Sequence, residues 1–367
     1  MPTTFVQSKQ TASEIPTEPV GSIPRPGALL EALNDYSNNK ISIDDLDVEY
    51  DNAVRDTIER FESTGSPILS DGEQSKSSFA TYPLEGLENL AADGVIIPFE
   101  DGHTRQLPRL ISGPFRYAAY AGSYLPRAKK FTNRPVKQAV ISASAMSLLY
   151  PEVGISGYSR VQFLSDLVQQ AVADIRSCFD NGAHSVQIDF TEGRLAIKLD
   201  PSKKLLQQFL DLNNQVMSYF SNDERQRIGF HTCPGGDHDS CHSADVDYRE
   251  LIPSLLTLNA GNFYMQMASE SNPEASLRLI SEHLRPEQRI YIGVINVIDE
   301  AVESDETVRD RVLMAARYIP INQLGTTDDC GYSPFGDDVA TSRDTAFAKI
   351  AARVRGTQLA FDTLTGS

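Results

Sequence analysis

Apolar residues along this chain fall into two alternating kinds of segment. Short, nearly unbroken apolar runs recur at EPVGSIP (18–24), SPILSDGE (66–73), VKQAVIS (136–142), HSVQIDF (184–190), RIGFHTC (227–233), NFYMQM (262–267), RIYIGVIN (289–296) and QLGTTDDC (323–330). Several are continuous rather than strictly alternating, as strands buried on both faces require, so these runs predict a largely parallel sheet. Between them lie longer stretches with apolar residues three and four apart. GALLEALNDYS, DNAVRDTIERFES, SRVQFLSDLVQQAVADIRSCFDNG, KKLLQQFLDLNNQVMSYF and ETVRDRVLMAARYI show this spacing, which predicts amphipathic helices. Asn181-Gly182 closes the third of these and Asp200-Pro201-Ser202 opens the fourth. Cys178 falls on the buried face of the third helix.

Repeated strand-then-helix units predict an α/β fold. The expectation is a (β/α)8 TIM barrel, with an open doubly wound sheet as the other solution of the same pattern. Residues 16–367 are read as one barrel domain and residues 1–15 as a flexible polar arm. The segment GVIIPFEDGHTRQLPRLISGPF (94–115) is a further β-rich element with the turn-like EDGH at its centre. It is expected as a hairpin inserted before the third barrel strand.

Charge narrows the partners. The 367 residues carry 33 Lys and Arg against 50 Asp and Glu, a net charge of −17, which argues against nucleic acid and anionic membranes. No run reaches the roughly 18 apolar residues of a membrane span, and the N-terminus lacks the apolar core of a signal peptide. Four cysteines are too few for a disulfide framework in a chain this long, so a reducing, cytoplasmic setting is expected. The acidic segment IDDLDVEYD (43–51) reads as a solvated face.

The chemistry lies at strand ends, where a barrel places it. Ser22, Glu73, Asp189, His231, Cys233, Gln266, Asn296 and Cys330 all sit at or near the ends of apolar runs. His231 and Cys233 are two apart on a strand, so their side chains point the same way. With the distant Cys330 they make a His-x-Cys plus Cys set suited to Zn²⁺. Taken alone, His231 and Cys233 also fit a buried polar pair in a core strand. His238, Cys241 and His242 follow in PGGDHDSCHS (234–243), read as a loop over the barrel mouth, with a second metal cluster as the alternative.

In order along the chain, VGSIPRP (20–26), SDGEQSKSSF (70–79), QID (187–189), HTC (231–233), GVINVIDEAVES (293–304) and DDCG (328–331) resemble the catalytic C-terminal barrel of the cobalamin-independent methionine synthases. The resemblance implies a zinc-dependent methyltransferase built on a single barrel. Carried over by motif, His231, Cys233 and Cys330 are zinc ligands, and Ser22, Glu73 and Asp189 hold a homocysteine-like small-molecule thiol. The methyl donor it implies is methyl-tetrahydrofolate or, for a short homologue, a methylcorrinoid protein. The chain also departs from that family. Gln266 stands where the family has a glutamate ligand, with Glu270 four residues on as another candidate. QIDEP has become QIDFT, and Asn296 and Ile298 replace the pattern that carries the family's histidine. Asp189 and Asn296 remain at the catalytic positions. These departures keep open a zinc-dependent thiol transferase or C–S lyase acting on another electrophile, such as an epoxide.

Overall fold

The computed structural model describes residues 14–366. Six of the apolar runs form one parallel sheet: β1 (Gln138–Ile141), β2 (Val186–Asp189), β3 (Ile228–Thr232), β4 (Asn262–Met265), β5 (Arg289–Ile295) and β6 (Leu324–Asp328). Each strand pairs with the next in chain order, and nearly every residue in them is buried, as the unbroken apolarity requires. Helices follow the strands, among them Arg160–Asp180, Lys204–Met217, Pro273–His283, Asp305–Ala316 and Arg343–Thr365.

Two earlier segments complete a ring of eight. Thr17 bridges Thr326 of β6, Leu69 bridges Val136 just before β1, and the Ile23 amide donates to the Gly72 carbonyl at 3.1 Å. These two expected strands are reduced to single bridges for a visible reason. Pro19, Pro24 and Pro67 lie in or beside them and lack the N–H a ladder needs. The result is a (β/α)8 barrel in which chain order and ring order coincide.

Helix ends follow the sequence signals. The acidic 43–51 segment and the helix after it are one element, Ile43–Ser63, opened by a Ser42/Asp45 capping box. Most of its first two turns is exposed, with Leu46 facing inward. Asn181 is the C-cap of Arg160–Asp180, and Gly182 follows with a φ of 77°. Asp200 accepts from the Leu205 amide at 2.9 Å where Lys204–Met217 begins. The expected arm, 1–15, lies outside the described residues except for Glu14 and Ile15, and Ile15 is buried.

The inserted hairpin is present and longer than its turn suggests. Ile96–Pro98 pairs with Thr104–Gln106, and Leu90–Ala91 pairs with Arg109–Leu110, both antiparallel. Inside the barrel, Glu18 accepts from the Tyr264 and Tyr291 hydroxyls at 2.7 and 3.0 Å. Lys137 Nζ lies 3.6 Å from the same carboxylate and 3.7 Å from the Tyr264 ring centre. Burial presses this amine down to about 8, against the pull of Glu18. Groups from both sides of the ring thus meet across its interior. Gly229 and Gly325 leave room there, since a Cβ on either would stand 2.6 or 2.5 Å from a tyrosine ring.

Candidate metal centre and substrate cavity

His231 lies in β3, Cys233 just beyond its end, and Cys330 two residues past the end of β6. Their donor atoms all fall within 4.8 Å of one another, and the sulfurs are 3.1 Å apart as free thiols. The site is enclosed: His231 is 2%, Cys233 1% and Cys330 7% exposed. A hydrogen bond from the Cys330 thiol, then the nearby His231 ring, hold Cys233 well below the ordinary thiol range despite burial. The Gly235 amide also donates to the Cys233 sulfur at 3.4 Å.

The donor set fits a zinc ion. Among the described residues, neither ring nitrogen of His231 has a hydrogen-bond partner, although both are buried. An imidazole normally spends both nitrogens when it leaves water. Here one nitrogen faces two sulfurs, a combination that suits Zn²⁺ and gives three of its usual four ligands.

The same residues line a cavity of about 550 Å³. Ser22, Glu73 and Asp189 line it too, so three expected substrate contacts and three expected ligands share one space. Asp189 pairs with His231 in the β2–β3 register and accepts from Gln187 at 2.7 Å. Burial lifts its carboxyl to about 6, with His231 opposing and Glu73 adding to the rise. Glu73 is held by Lys76 at 2.9 Å and has a φ of 57°, a left-handed conformation uncommon outside glycine. An Asp71 carboxylate accepting from its amide at 2.9 Å shapes that turn. Ser22 accepts from the Ser333 amide at 3.3 Å, tying the cavity floor to the loop after β6.

Phe79, Phe99 and Phe335 roof the cavity, with Phe99 and Ile97 supplied by the inserted hairpin. The hairpin is pinned by Arg105, which donates to Asp237 at 2.5 Å and to Asp337 at 2.7 Å. Asp237 belongs to the PGGDHDSCHS segment, a two-residue hairpin with His238 and Asp239 at positive φ. That segment does lie over the barrel mouth. The Asp237, His238 and Asp337 ligand atoms converge as well, but the Arg105 guanidinium already sits among them. His242 turns inward, edge-on to Phe99 at 5.5 Å, and Gly235 lies so close beneath it that a Cβ would be 1.7 Å from the ring. Burial depresses His242 to about 4.

A second cavity of about 1090 Å³ adjoins the first, sharing Phe79, Ile97, Thr191, His242 and Phe335. Glu192 stands in its wall. Asn296 and Gln266 lie elsewhere, lining a smaller pocket of about 220 Å³ behind Cys330. The Asn296 side chain accepts from the Ile298 amide at 3.1 Å, holding a turn. Glu270 is paired with Arg194 at 2.8 Å and is not among the residues whose ligand atoms converge with His231.

Sequence reasoning missed Asp329. Its carboxylate accepts from the amides of Met267, Ala268 and Ser269 at 2.8–2.9 Å and from the Ser269 hydroxyl at 2.7 Å. It thereby fixes the loop after β4 to the residue next to Cys330. The signal was a second aspartate directly before a candidate ligand.

Known proteins resemble this chain along most of its length. The family model described as "Cobalamin-independent synthase, Catalytic domain" matches residues 15–352. A 5-methyltetrahydropteroyltriglutamate–homocysteine methyltransferase of Vibrio cholerae is 23% identical over 319 residues, covering 86% of this chain and 40% of that protein. The chain therefore spans about two fifths of such relatives. A methionine synthase of Sulfurisphaera tokodaii is 21% identical over 360 residues, covering 95% of this chain and 94% of the relative. Among solved structures, a B12-independent methionine synthase from a Shewanella species superimposes with a TM-score of 0.76 at 17% identity, covering 97% of this chain and 100% of the other. With the match running through both halves of the ring and all three sulfur and imidazole donors, the chain belongs to the family of cobalamin-independent synthase catalytic domains.

Proposed function

We propose that this chain is a zinc-dependent methyltransferase that transfers a methyl group to the thiol of a homocysteine-like amino acid. The observation that carries the reading is the buried His231, with both nitrogens unpaired among the described residues, beside two thiols at the wall of a cavity that also holds two carboxylates. Zinc, when bound, lowers the pKa of a thiol so that it persists as a nucleophilic thiolate near neutral pH.

The chain's own residues do the rest. His231, Cys233 and Cys330 hold the metal and leave a position open towards the cavity. Asp189 and Glu73 face the same cavity and receive the ammonium group of the amino acid, with Lys76 keeping the Glu73 carboxylate in place. Ser22 offers its hydroxyl on the same wall. The aromatic roof of Phe79, Phe99 and Phe335 excludes water from the sulfur, which strengthens each polar contact inside. Asn296 shapes the turn behind Cys330. The adjoining cavity has room for the methyl donor, and methyl-tetrahydrofolate is the donor we favour.

The test is metal content and transfer together. The purified protein is expected to hold one zinc per chain and to methylate homocysteine from methyl-tetrahydrofolate. Cys233→Ser and Cys330→Ser should each lose most of the metal and the activity. A zinc-free wild-type protein whose two variants behave as it does would overturn the reading. Consumption of an epoxide but not of the methyl donor would retain the metal and replace the reaction.

A further inference from the structure

We propose that Glu192 is the general acid of the transfer, handing a proton from Oε2 to the donor nitrogen as the methyl group leaves it. This inference rests on the methyl-transfer reading above, with the donor in the second cavity.

The chemistry of the donor sets the need. A methyl group on a tertiary amine departs only if that nitrogen gains a proton, because the amide anion otherwise expelled is far too basic near neutral pH. The thiolate sulfur forms its bond to the methyl carbon while the carbon–nitrogen bond breaks. The electron pair of that bond stays on nitrogen, which ends with the proton from Glu192. Glu192 is left as a carboxylate and recovers its proton from water.

The geometry of Glu192 suits this task. It opens the helix Glu192–Leu199 that follows β2, on the face of the barrel where chemistry is placed. It is 5% exposed and lines the cavity of about 1090 Å³. Its two oxygens differ. Oε1 accepts from the hydroxyls of Ser142, at 2.6 Å, and Ser144. Ser142 Oγ itself accepts from the Ala145 amide at 3.0 Å and Ser144 Oγ from the Asn213 side chain at 2.7 Å, which leaves each hydroxyl's hydrogen for Glu192. Neither serine lines the cavity, so Oε1 is turned into the wall. Oε2 is buried and, among the described residues, has no partner. With two donors on Oε1, the proton of the neutral carboxyl belongs on Oε2, the oxygen left for the occupant of the cavity. The same two hydroxyls then stabilise the carboxylate that proton transfer leaves behind.

The surrounding charges are compatible with an acid that holds its proton near neutrality. Burial lifts Glu192 to about 7, and Asp189 at the end of β2 adds to the rise. On its own helix, Arg194 and Lys198 are committed to the loop after β3, through the carbonyls of Val246, Ala244 and His242 and the Asp245 carboxylate. Arg105 and His242 share the cavity wall. Arg105 is bound to Asp237 and Asp337, and burial keeps the His242 ring neutral. From the β1 side the contacts are the uncharged Ser142 and Ser144, backed by Asn213.

The experiment uses the full zinc-loaded chain with homocysteine and methyl-tetrahydrofolate, and reads kcat and KM against pH. The wild-type kcat is expected to fall by about tenfold per pH unit above about 7. Glu192→Gln keeps the shape and an oxygen for the two serines but has no acidic proton. Its kcat at pH 6 should be about a hundredfold lower or more, with the falling limb abolished and with KM for the donor and zinc content held. Ser144→Ala removes a bond that favours the carboxylate, so its limb should move to higher pH, a shift that a merely structural role for Glu192 would not produce. A Glu192→Gln protein with wild-type kcat and the wild-type limb, or a Ser144→Ala limb that stays in place, overturns this inference and leaves the proposed function standing. A wild-type protein that transfers no methyl group from methyl-tetrahydrofolate overturns the reading beneath it as well.

Discussion

Glu192 shows what burial does to a single carboxyl in this protein. Its Oε1 accepts from the Ser142 hydroxyl at 2.6 Å and from the Ser144 hydroxyl, which Asn213 holds in turn at 2.7 Å. Burial lifts the group to about 7, and the two serines pull the other way. Its folded pKa is above the ordinary glutamate value of about 4.3. The folded state therefore keeps a proton that the unfolded chain has released. The stability this confers is fully present below the unfolded pKa and is lost as pH rises towards and through 7. Glu192→Gln should remove that loss, worth on the order of 3 kcal/mol. Urea unfolding of both proteins at pH 4 and pH 8 checks this: the variant should gain on the wild type far more at pH 8 than at pH 4, and a constant difference would contradict the assignment. The sequence carried no mark of this role, because Ser142, Ser144 and Asn213 converge on Glu192 only through the fold. His231 and Cys233 were legible for the opposite reason. Their two-residue spacing on a strand fixes their relation locally, and only Cys330 had to arrive from afar.

At the scale of elements, the hairpin around Ile96–Gln106 was readable from its β-rich flanks and its EDGH turn. What it does was not readable. Arg105 reaches partners 132 and 232 residues away, Asp237 and Asp337, and lies 4.4 Å over the Phe335 ring. His103 adds a contact to Asp237 at 3.0 Å. The hairpin is thus latched to the loops after β3 and β6, which also carry Cys233 and Cys330. Arg105→Met removes charge-assisted bonds to a buried carboxylate, each worth roughly 1.5–3 kcal/mol. Amide exchange across residues 96–106 should quicken by about thirtyfold if about 2 kcal/mol of local stability is lost. Unchanged exchange there would show that the aromatic contacts alone keep the hairpin down. The strands β1–β6 were legible because a short, unbroken apolar run bounded by polar residues is long enough for a buried strand and too short for a buried helix. The first two ring segments were legible as strands but not as single bridges, since prolines weaken pairing without erasing the apolar pattern.

Across the whole molecule, the ring closes where the start of the described chain meets its end. Arg353, fully buried on the last helix, donates to Asp328 at the end of β6, and the first segment meets the same strand where the Glu18 amide donates to the Thr326 carbonyl at 3.0 Å and the Thr326 amide to the Pro16 carbonyl at 2.9 Å. The last helix also meets the Ile43–Ser63 helix, where Phe61 and Phe347 pack edge to face at 5.3 Å. Removing one partner of a buried ion pair strands the other. Arg353→Met should therefore lower stability by about 3–5 kcal/mol, read as a drop in melting temperature, with a loss below about 1 kcal/mol refuting this view of the seam. The seam has a consequence during synthesis. Thr17 cannot meet Thr326 until about three hundred more residues have left the ribosome, a wait of roughly fifteen seconds to a minute at usual translation rates. Through that interval the nascent segment has no native neighbour on one side. Pro19 and Pro24, which reduce its ladder to a single bridge, also make it a poor template for strands of other chains. The irregularity that weakens closure of the barrel thus protects the unfinished chain from aggregation.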